Sequence, residues 1–257
     1  MPSISVCIPS YKRPNNVKTL QICPWAKLYV DENEANEYRN GNPNANVVEI
    51  PSGIQGNIAR VRNYILQEEF ANGAGAVCMM DDDIRHIGLW HGDEATGFGY
   101  VREWLQGDEF AAFLERGTAL CEDMGLTLWG VNIIEANRQY HQSEPFSLVK
   151  PILGPFSVHL TDKYMYDESM PLKEDYDMFL QHISAERAVL RMNMAYYVNG
   201  GSNTAVGGCA ASRNVNAERE QFRRLRKKWG GMIVRKDNGS KRGFDFNPIL
   251  DVPIEGV

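Results

Sequence analysis

Residues 76–84 read Ala76-Val77-Cys78-Met79-Met80-Asp81-Asp82-Asp83-Ile84, five apolar residues and then three carboxylates. An apolar run of that length, cut off so sharply, reads as a strand buried on both faces, as in a parallel sheet. Upstream stretches repeat the arrangement. Ile4, Val6 and Ile8 mark a strand over 3–9 that ends in Ser10-Tyr11-Lys12-Arg13-Pro14. Residues 27–31 form a second strand ending in acids, and 47–50 a third leading into Gly53 and Gly56. Between them, 32–45 starts helical and breaks at Asn40-Gly41-Asn42-Pro43. Residues 57–70 carry Ile58, Val61, Ile65, Leu66 and Phe70 at helical spacing. Asn15 and Asn16 carry a helix-start signal. Strands alternating with helices predict an α/β fold, a mostly parallel central sheet flanked by helices. Such sheets bind ligands at the carboxyl ends of their strands. All four unusual polar loops, at 10–14, 31–34, 52–57 and 81–83, fall at such ends.

Further along, 108–124 and 173–188 read as helices, 126–134 and 189–197 as strands, and 148–160 as strand material broken by Gly154-Pro155. Residues 166–171 read as a turn, 199–208 as a Gly/Ser/Asn loop and 217–229 as a basic helix. No repeat or linker divides the chain, so one domain over 1–257 is expected.

The 257 residues are 43% apolar and 23% charged, which excludes wholesale disorder. The net charge of −6 excludes a simple polycation coat for nucleic acid. That average hides an asymmetry: residues 219–242 carry ten Lys/Arg against Glu220 and Asp237, while the first 218 residues sum to −11. Five scattered cysteines (Cys7, Cys23, Cys78, Cys121, Cys209) form no CxxC pair and read as reduced, mostly buried thiols of a cytoplasm-like compartment. There is no run of 18 apolar residues and no signal-peptide layout. Five histidines without HxH or HExxH spacing argue against a zinc enzyme. The lack of Walker-A, GxGxxG and GxSxG patterns demotes NTPase, dinucleotide and hydrolase readings.

Four constellations remain. In an extended segment Asp81 and Asp83 face the same way, and two hard oxygen donors suit Mg²⁺ or Mn²⁺ shared with phosphate oxygens. A solvated acidic turn is the plainer reading; the position after a buried strand favours the metal. In Gln55-Gly56-Asn57-Ile58-Ala59-Arg60-Val61-Arg62-Asn63, a glycine and free helix N–H groups can cradle an anion. Arg60 and Arg62 point to different helix faces; at least one could reach a phosphate or clamp the acidic triplet, or both could face solvent. Glu174 and Asp175 open a helix, which N-terminal charge preference explains equally well as a general base does. In 217–229, Phe222, Leu225 and Trp229 form an apolar stripe that docks the helix on the body. Arg223, Arg224, Arg226, Lys227 and Lys228 then cover the rest, as a solvated face or a polyanion site.

Taken in order, ISVCIPSYKRP, YVDENE, GNIARVRN, MMDDDI and LKEDYDMFL resemble the nucleotide-sugar glycosyltransferases of the GT-A fold over roughly 3–90 and 150–200. The nearest resemblance is to the TET-associated glycosyltransferases of bacteriophages, taken to put sugars on 5-hydroxymethylcytosine in DNA. That resemblance implies a nucleotide-binding half (1–90), an acceptor-binding half (91–210) and a basic helix and tail (211–257). It implies a UDP-sugar donor, a divalent metal (Mn²⁺ or Mg²⁺), DNA carrying 5-hydroxymethylcytosine as acceptor, and the cytoplasm of a phage-infected bacterium. Pro9, Tyr11 and Arg13 would line the nucleobase and ribose pocket, and Asp31 would contact uracil or ribose. Gln55, Asn57, Asp81 and Asp82 would bind the nucleotide-sugar, Arg60 would lie near the diphosphate or the metal triplet, and Asp81 and Asp83 would be the DxD metal ligands. Asp175 would be the general base of an inverting transfer, with Glu174 beside it. Many relatives add a late metal-binding His; none follows His182 here, so Asn203 or water would stand in, or the DxD residues and phosphates alone would hold the metal. Arg223, Arg224, Arg226, Lys227 and Lys228 would hold DNA phosphates. Rival readings are a GT-A enzyme acting on a saccharide or lipid-linked acceptor, a non-catalytic nucleic-acid-binding protein, and a nucleotidyltransferase.

Overall fold

The computed structural model describes residues 3–92, 100–133, 143–199, 214–236 and 246–254. The expected strands appear as β1 (Ile4–Pro9), β2 (Lys27–Asp31), β3 (Asn46–Ile50) and β4 (Ala76–Met80). They pair in parallel, with Val6 beside Cys78 and Ile8 beside Leu28. Between them lie α1 (Ala35–Gly41) and α2 (Ile58–Ala71). Two glycines at positive φ, Gly53 and Gly56, turn the chain into α2, and the Asn57 side chain caps it by accepting from the Ala59 and Arg60 N–H groups.

Then come β5 (Ile84–Gly92), β6 (Tyr100–Leu105), α3 (Gly107–Asp123), β7 (Leu128–Asn132), β8 (Phe146–Ser147) and β9 (Phe156–His159). They are followed by α4 (Glu174–Glu186), β10 (Leu190–Asn199), α5 (Val215–Trp229), β11 (Val234–Lys236) and β12 (Pro248–Leu250). Strands β1 to β10 make one sheet, ordered β3-β2-β1-β4-β9-β7-β10-β5-β6 with β8 on β10. Seven of its ten strands run one way; β5, β8 and β9 run against them. The sheet is thus mostly parallel, as the sequence implies, and it runs unbroken from residues 4–92 into 100–199.

Helices cover both faces. Phe110, Phe113 and Leu114 of α3 pack on one side with Ile8, Leu28 and Trp129. Val61, Ile65 and Leu66 of α2 pack on the other with Tyr29, Val77 and Met79. Beyond α2, Phe179, Leu180 and Ile183 of α4 meet Phe222 and Leu225 of α5, so the apolar stripe docks the basic helix as expected. Four cysteines are free and buried; Cys209 lies outside the described residues. No described helix is long and apolar enough to cross a membrane.

Two local expectations need correction, and one hairpin was not expected at all. The helix signal at Asn15 and Asn16 yields only a 3-10 turn at Lys18–Gln21. Its groups are spent on the acidic turn: Lys18 N donates to Asp82 O, and the Thr19 hydroxyl donates to Asp81 O and accepts from Ile84 N. Of 148–160, only Phe156–His159 is strand, because Gly154 and Pro155 turn the chain toward the cleft described below. The β5–β6 hairpin was not legible, since residues 84–92 mix Arg85, His86, Gly88 and His91 with apolar positions and show no clean alternation.

Candidate active site

The carboxyl ends of β1, β3 and β4 open onto a cleft. Pro9, Ser10, Tyr11 and Arg13 form one wall and Gln55, Ile58 and Arg62 a second. The three aspartates form its floor. Gly154, Pro155, Pro171, Leu172, Glu174, Asp175 and Asn199 close it. The acidic turn is held by backbone bonds on both sides, from Thr19 and through Asp81 N to Pro155 O at 3.0 Å.

The three aspartates have different surroundings. Asp82 is buried and accepts from Ser10 Oγ (2.6 Å) and Arg13 Nη1 (2.9 Å). Tyr38 OH in turn contacts Ser10 Oγ and accepts from Arg13 N, so Asp82 braces the 10–13 loop. Burial raises its pKa, and Ser10 and Arg13 pull against that rise. Asp81 is a third exposed and accepts from Arg62 Nη2 at 2.9 Å. Asp83 is 7% exposed, and no other described side chain bonds to it. Burial, then Asp81 and Asp82, pushes its pKa up to about 6.

Arg62 is the hub of the opposite wall. Its Nη1 meets Glu174 Oε1 at 2.8 Å, its Nη2 also donates to Gly154 O at 3.0 Å, and its guanidinium lies 5.6 Å from the Tyr166 ring. Burial opposes its charge, and Asp81 and Glu174 outweigh that and hold it protonated. Burial and then Asp175 push Glu174 up to about 8 against the pull of Arg62. Desolvation of the carboxylate outweighs the attraction of Arg62. Asp175 is oriented by its neighbours: Oδ2 accepts from Gly154 N (3.0 Å) and Oδ1 from Tyr176 N (2.8 Å).

Five carboxylates and two guanidiniums line this cleft. The excess of negative charge, with Asp83 buried beside Asp81 and bonded to no other described side chain, suits a hard divalent cation. Among the described residues, no group of three or more His, Cys, Asp and Glu is gathered to hold a metal on its own. Two protein carboxylates completed by phosphate oxygens fit that geometry.

Pro9, Tyr11, Arg13, Gln55, Asp81, Asp82, Asp83, Glu174 and Asp175 therefore come together as the sequence suggests. Others do not line the cleft. Asp31 accepts from the Asn33 backbone and side chain and starts the turn into α1. Asn57 caps α2 and donates to Glu168 O at 2.8 Å. Arg60 faces outward to Glu168 (3.2 Å) and Gly53 O (2.8 Å), leaving the clamp to Arg62. Asn203 lies outside the described residues. Of the basic helix, Arg224 bonds Glu220 and Ser169 O, Lys228 bonds Asp167 and Asp177, and the Arg226 guanidinium lies against Gly231. Arg223 and Lys227 are exposed. Ser10 and Gly154 were read only as loop and strand-break residues, and Tyr38 went unread. The role of Arg62 had a usable signal, since it shares a helix face with Ile58, Ile65 and Leu66 and so had to be buried and paired.

A large α/β sheet with this polar cleft at its strand ends is the architecture of the GT-A glycosyltransferases. The profile of the family described as TET-Associated Glycosyltransferase matches residues 4–208, and the chain belongs to that family; it is a glycosyltransferase. Among solved structures it is similar to glucosyl-3-phosphoglycerate synthase from Mycobacterium tuberculosis, crystallised with Mn²⁺, UDP and glucosyl-3-phosphoglycerate. The TM-score is 0.50 at 11% identity, covering 88% of this chain and 80% of that one. A second crystal of the same enzyme, with Mn²⁺, UDP-glucose and phosphoglyceric acid, gives 0.48 at 10% identity over 92% and 84%. At such identity the likeness is one of fold. No curated protein matches the chain in sequence.

Proposed function

We propose that this enzyme moves a sugar from a UDP-sugar to the hydroxymethyl oxygen of 5-hydroxymethylcytosine in DNA, with inversion and with a divalent cation. The carrying observation is one cleft that joins a buried carboxylate with no partner among the described side chains, Asp83, to a backbone-oriented carboxylate, Asp175. The family description supports the acceptor, and the Mn²⁺ and UDP of the solved structure similar in fold support the donor and metal.

Asp81 and Asp83 would hold Mn²⁺ or Mg²⁺, whose charge offsets that building on the diphosphate. The remaining steps belong to the chain. The Pro9–Arg13 wall receives the nucleobase and ribose, with Gln55 beside it, its Nε2 3.5 Å from Ser10 O. Asp175 takes the proton of the acceptor hydroxyl as its oxygen bonds to the anomeric carbon. The bond from that carbon to the diphosphate breaks, and its electron pair leaves on UDP. Carboxylates near the oxocarbenium-like centre favour its positive charge. Arg62 keeps Asp81 and Glu174 in place while this happens. The acceptor base reaches the cleft by groove entry or flipping, and the exposed Arg223 and Lys227 favour phosphate contact.

The test is mass spectrometry of nucleosides from hydroxymethylcytosine-containing DNA incubated with mixed nucleotide sugars. A hexosyl adduct on the modified base is expected, and unmodified DNA beside a glycosylated saccharide or lipid-linked acceptor would overturn the acceptor. Asp175→Asn should bind UDP normally and lose about 10²–10⁴ in turnover. Full activity of that variant removes Asp175 as base.

A further inference from the structure

The segment from Asp167 to Asp177 presents Pro171, Leu172, Glu174 and Asp175 to the cleft. It lies outside the sheet, and helices grip it on two sides. On the α2 side, Asn57 donates to Glu168 O, Asn63 to Tyr166 O, and Arg62 to Glu174. On the other side the grip comes from α5. Gln221 Oε1 accepts from Leu172 N at 2.6 Å. Because the donor is a backbone amide, only the oxygen of Gln221 can serve. One residue on, the Lys173 side chain is 2% exposed and its Nζ meets Glu218 Oε2 at 2.6 Å. A lysine buried that deeply is held only by a charged partner, so the start of α4 cannot shift without stranding it.

We infer that α5 is a positioning element of the catalytic cleft, and that Gln221, through the Leu172 amide, sets the placement of the 171–175 segment. This rests on the reading of Asp175 as general base and deepens it. Helix α5 lies beyond residues 4–208, the part that matches the family, so the clamp comes from chain outside that match. Gln221 does not line the cleft. It acts by fixing a backbone amide whose own residue lines the cleft, and a small displacement of an oriented base is costly in rate.

The experiment compares Gln221→Met, which keeps length and loses the acceptor, with Gln221→Glu, which keeps an acceptor oxygen. Two readouts are taken on the full chain: amide hydrogen exchange at Leu172, and kcat against donor KM. In Gln221→Met, Leu172 exchange should accelerate at least about tenfold and kcat fall about tenfold, with thermal stability close to the parent. Gln221→Glu should restore both. Unchanged exchange at Leu172 in folded Gln221→Met overturns the clamp. Faster exchange with unchanged kcat overturns its catalytic consequence, as does a Gln221→Glu variant no better than Gln221→Met. The exchange readout needs no turnover, so a parent protein inactive on hydroxymethylated DNA would count against the proposed acceptor and leave the clamp to be decided by exchange.

Discussion

Helices α2 and α5 both carry arginines, and both grip the segment that brings Glu174 and Asp175 to the cleft, yet they use charge differently. In α2 the working cation lies inside: the Arg62 side chain is 3% exposed, on the same face as Ile65 and Leu66, and ties Asp81 to Glu174. Two residues earlier, Arg60 is 43% exposed and pairs with Glu168 at the rim. In α5 most cations stay outside, and the buried charge is Glu218, an acid that meets a lysine from the gripped segment. What a charged side chain does is decided by its angle from the apolar stripe, because desolvation makes an inward charge depend on its partner and leaves an outward one free for solvent or a polyanion.

The hardest way to break the comparison is Arg62→Met. It removes the shared partner of Glu174, Asp81 and Gly154 O at once, and should cost about 3–5 kcal/mol in urea unfolding. A loss below about 1 kcal/mol would mean that Arg62 is not the hub. Glu218→Gln tests the α5 side. Lys173 would keep a polar partner of the same shape, so the loss should be smaller, about 1–3 kcal/mol by the same measurement.

A sharper contrast sets Asp81, which α2 supplies with a cation, against Asp83, which neither helix serves. In metal-free protein the Asp83 carboxyl titrates at about 6, above the usual carboxylate range. The folded state therefore holds a proton that the unfolded chain has already lost, and stability falls as pH rises from about 4 through 6. Asp83→Asn should then melt several degrees above the parent at pH 7.5, with the gap closing toward pH 4. Saturating Mn²⁺ should raise the melting point of the parent and leave that of the variant unmoved. The smallest effects belong to the rim: Arg60→Ala and Arg224→Ala should each change unfolding free energy by less than about 1 kcal/mol.

Much of the site was legible because it is local. The DDD turn, the 10–14 loop and the Glu174-Asp175 helix start each follow a strand or open a helix within a few residues. Asp31 shows the limit of that reasoning. It ends a strand at the same sheet edge, yet its carboxylate is used by Asn33 in a turn, and strand ends alone do not say which loops bend inward. The residues alone left Arg60 and Arg62 open and the resemblance named Arg60, but packing puts Arg62 in the cleft and Arg60 at the rim. The basic helix was read correctly as docked through Phe222 and Leu225. Its polar inner face, Glu218 and Gln221, had no periodicity to announce it.

The sequence by itself determined the alternation of strands and helices, the parallel β1–β4 unit, and the placing of acids at strand ends, because apolar periodicity and chain reversal act over a few residues. Tertiary structure alone decided that β9 enters between β4 and β7 and that β10 reaches across to β5. It alone brought Gly154, Glu174 and Gln221 to bear on one cleft. Those pairings depend on which buried surfaces and which desolvated charges satisfy one another across the fold, and no window along the chain contains both partners.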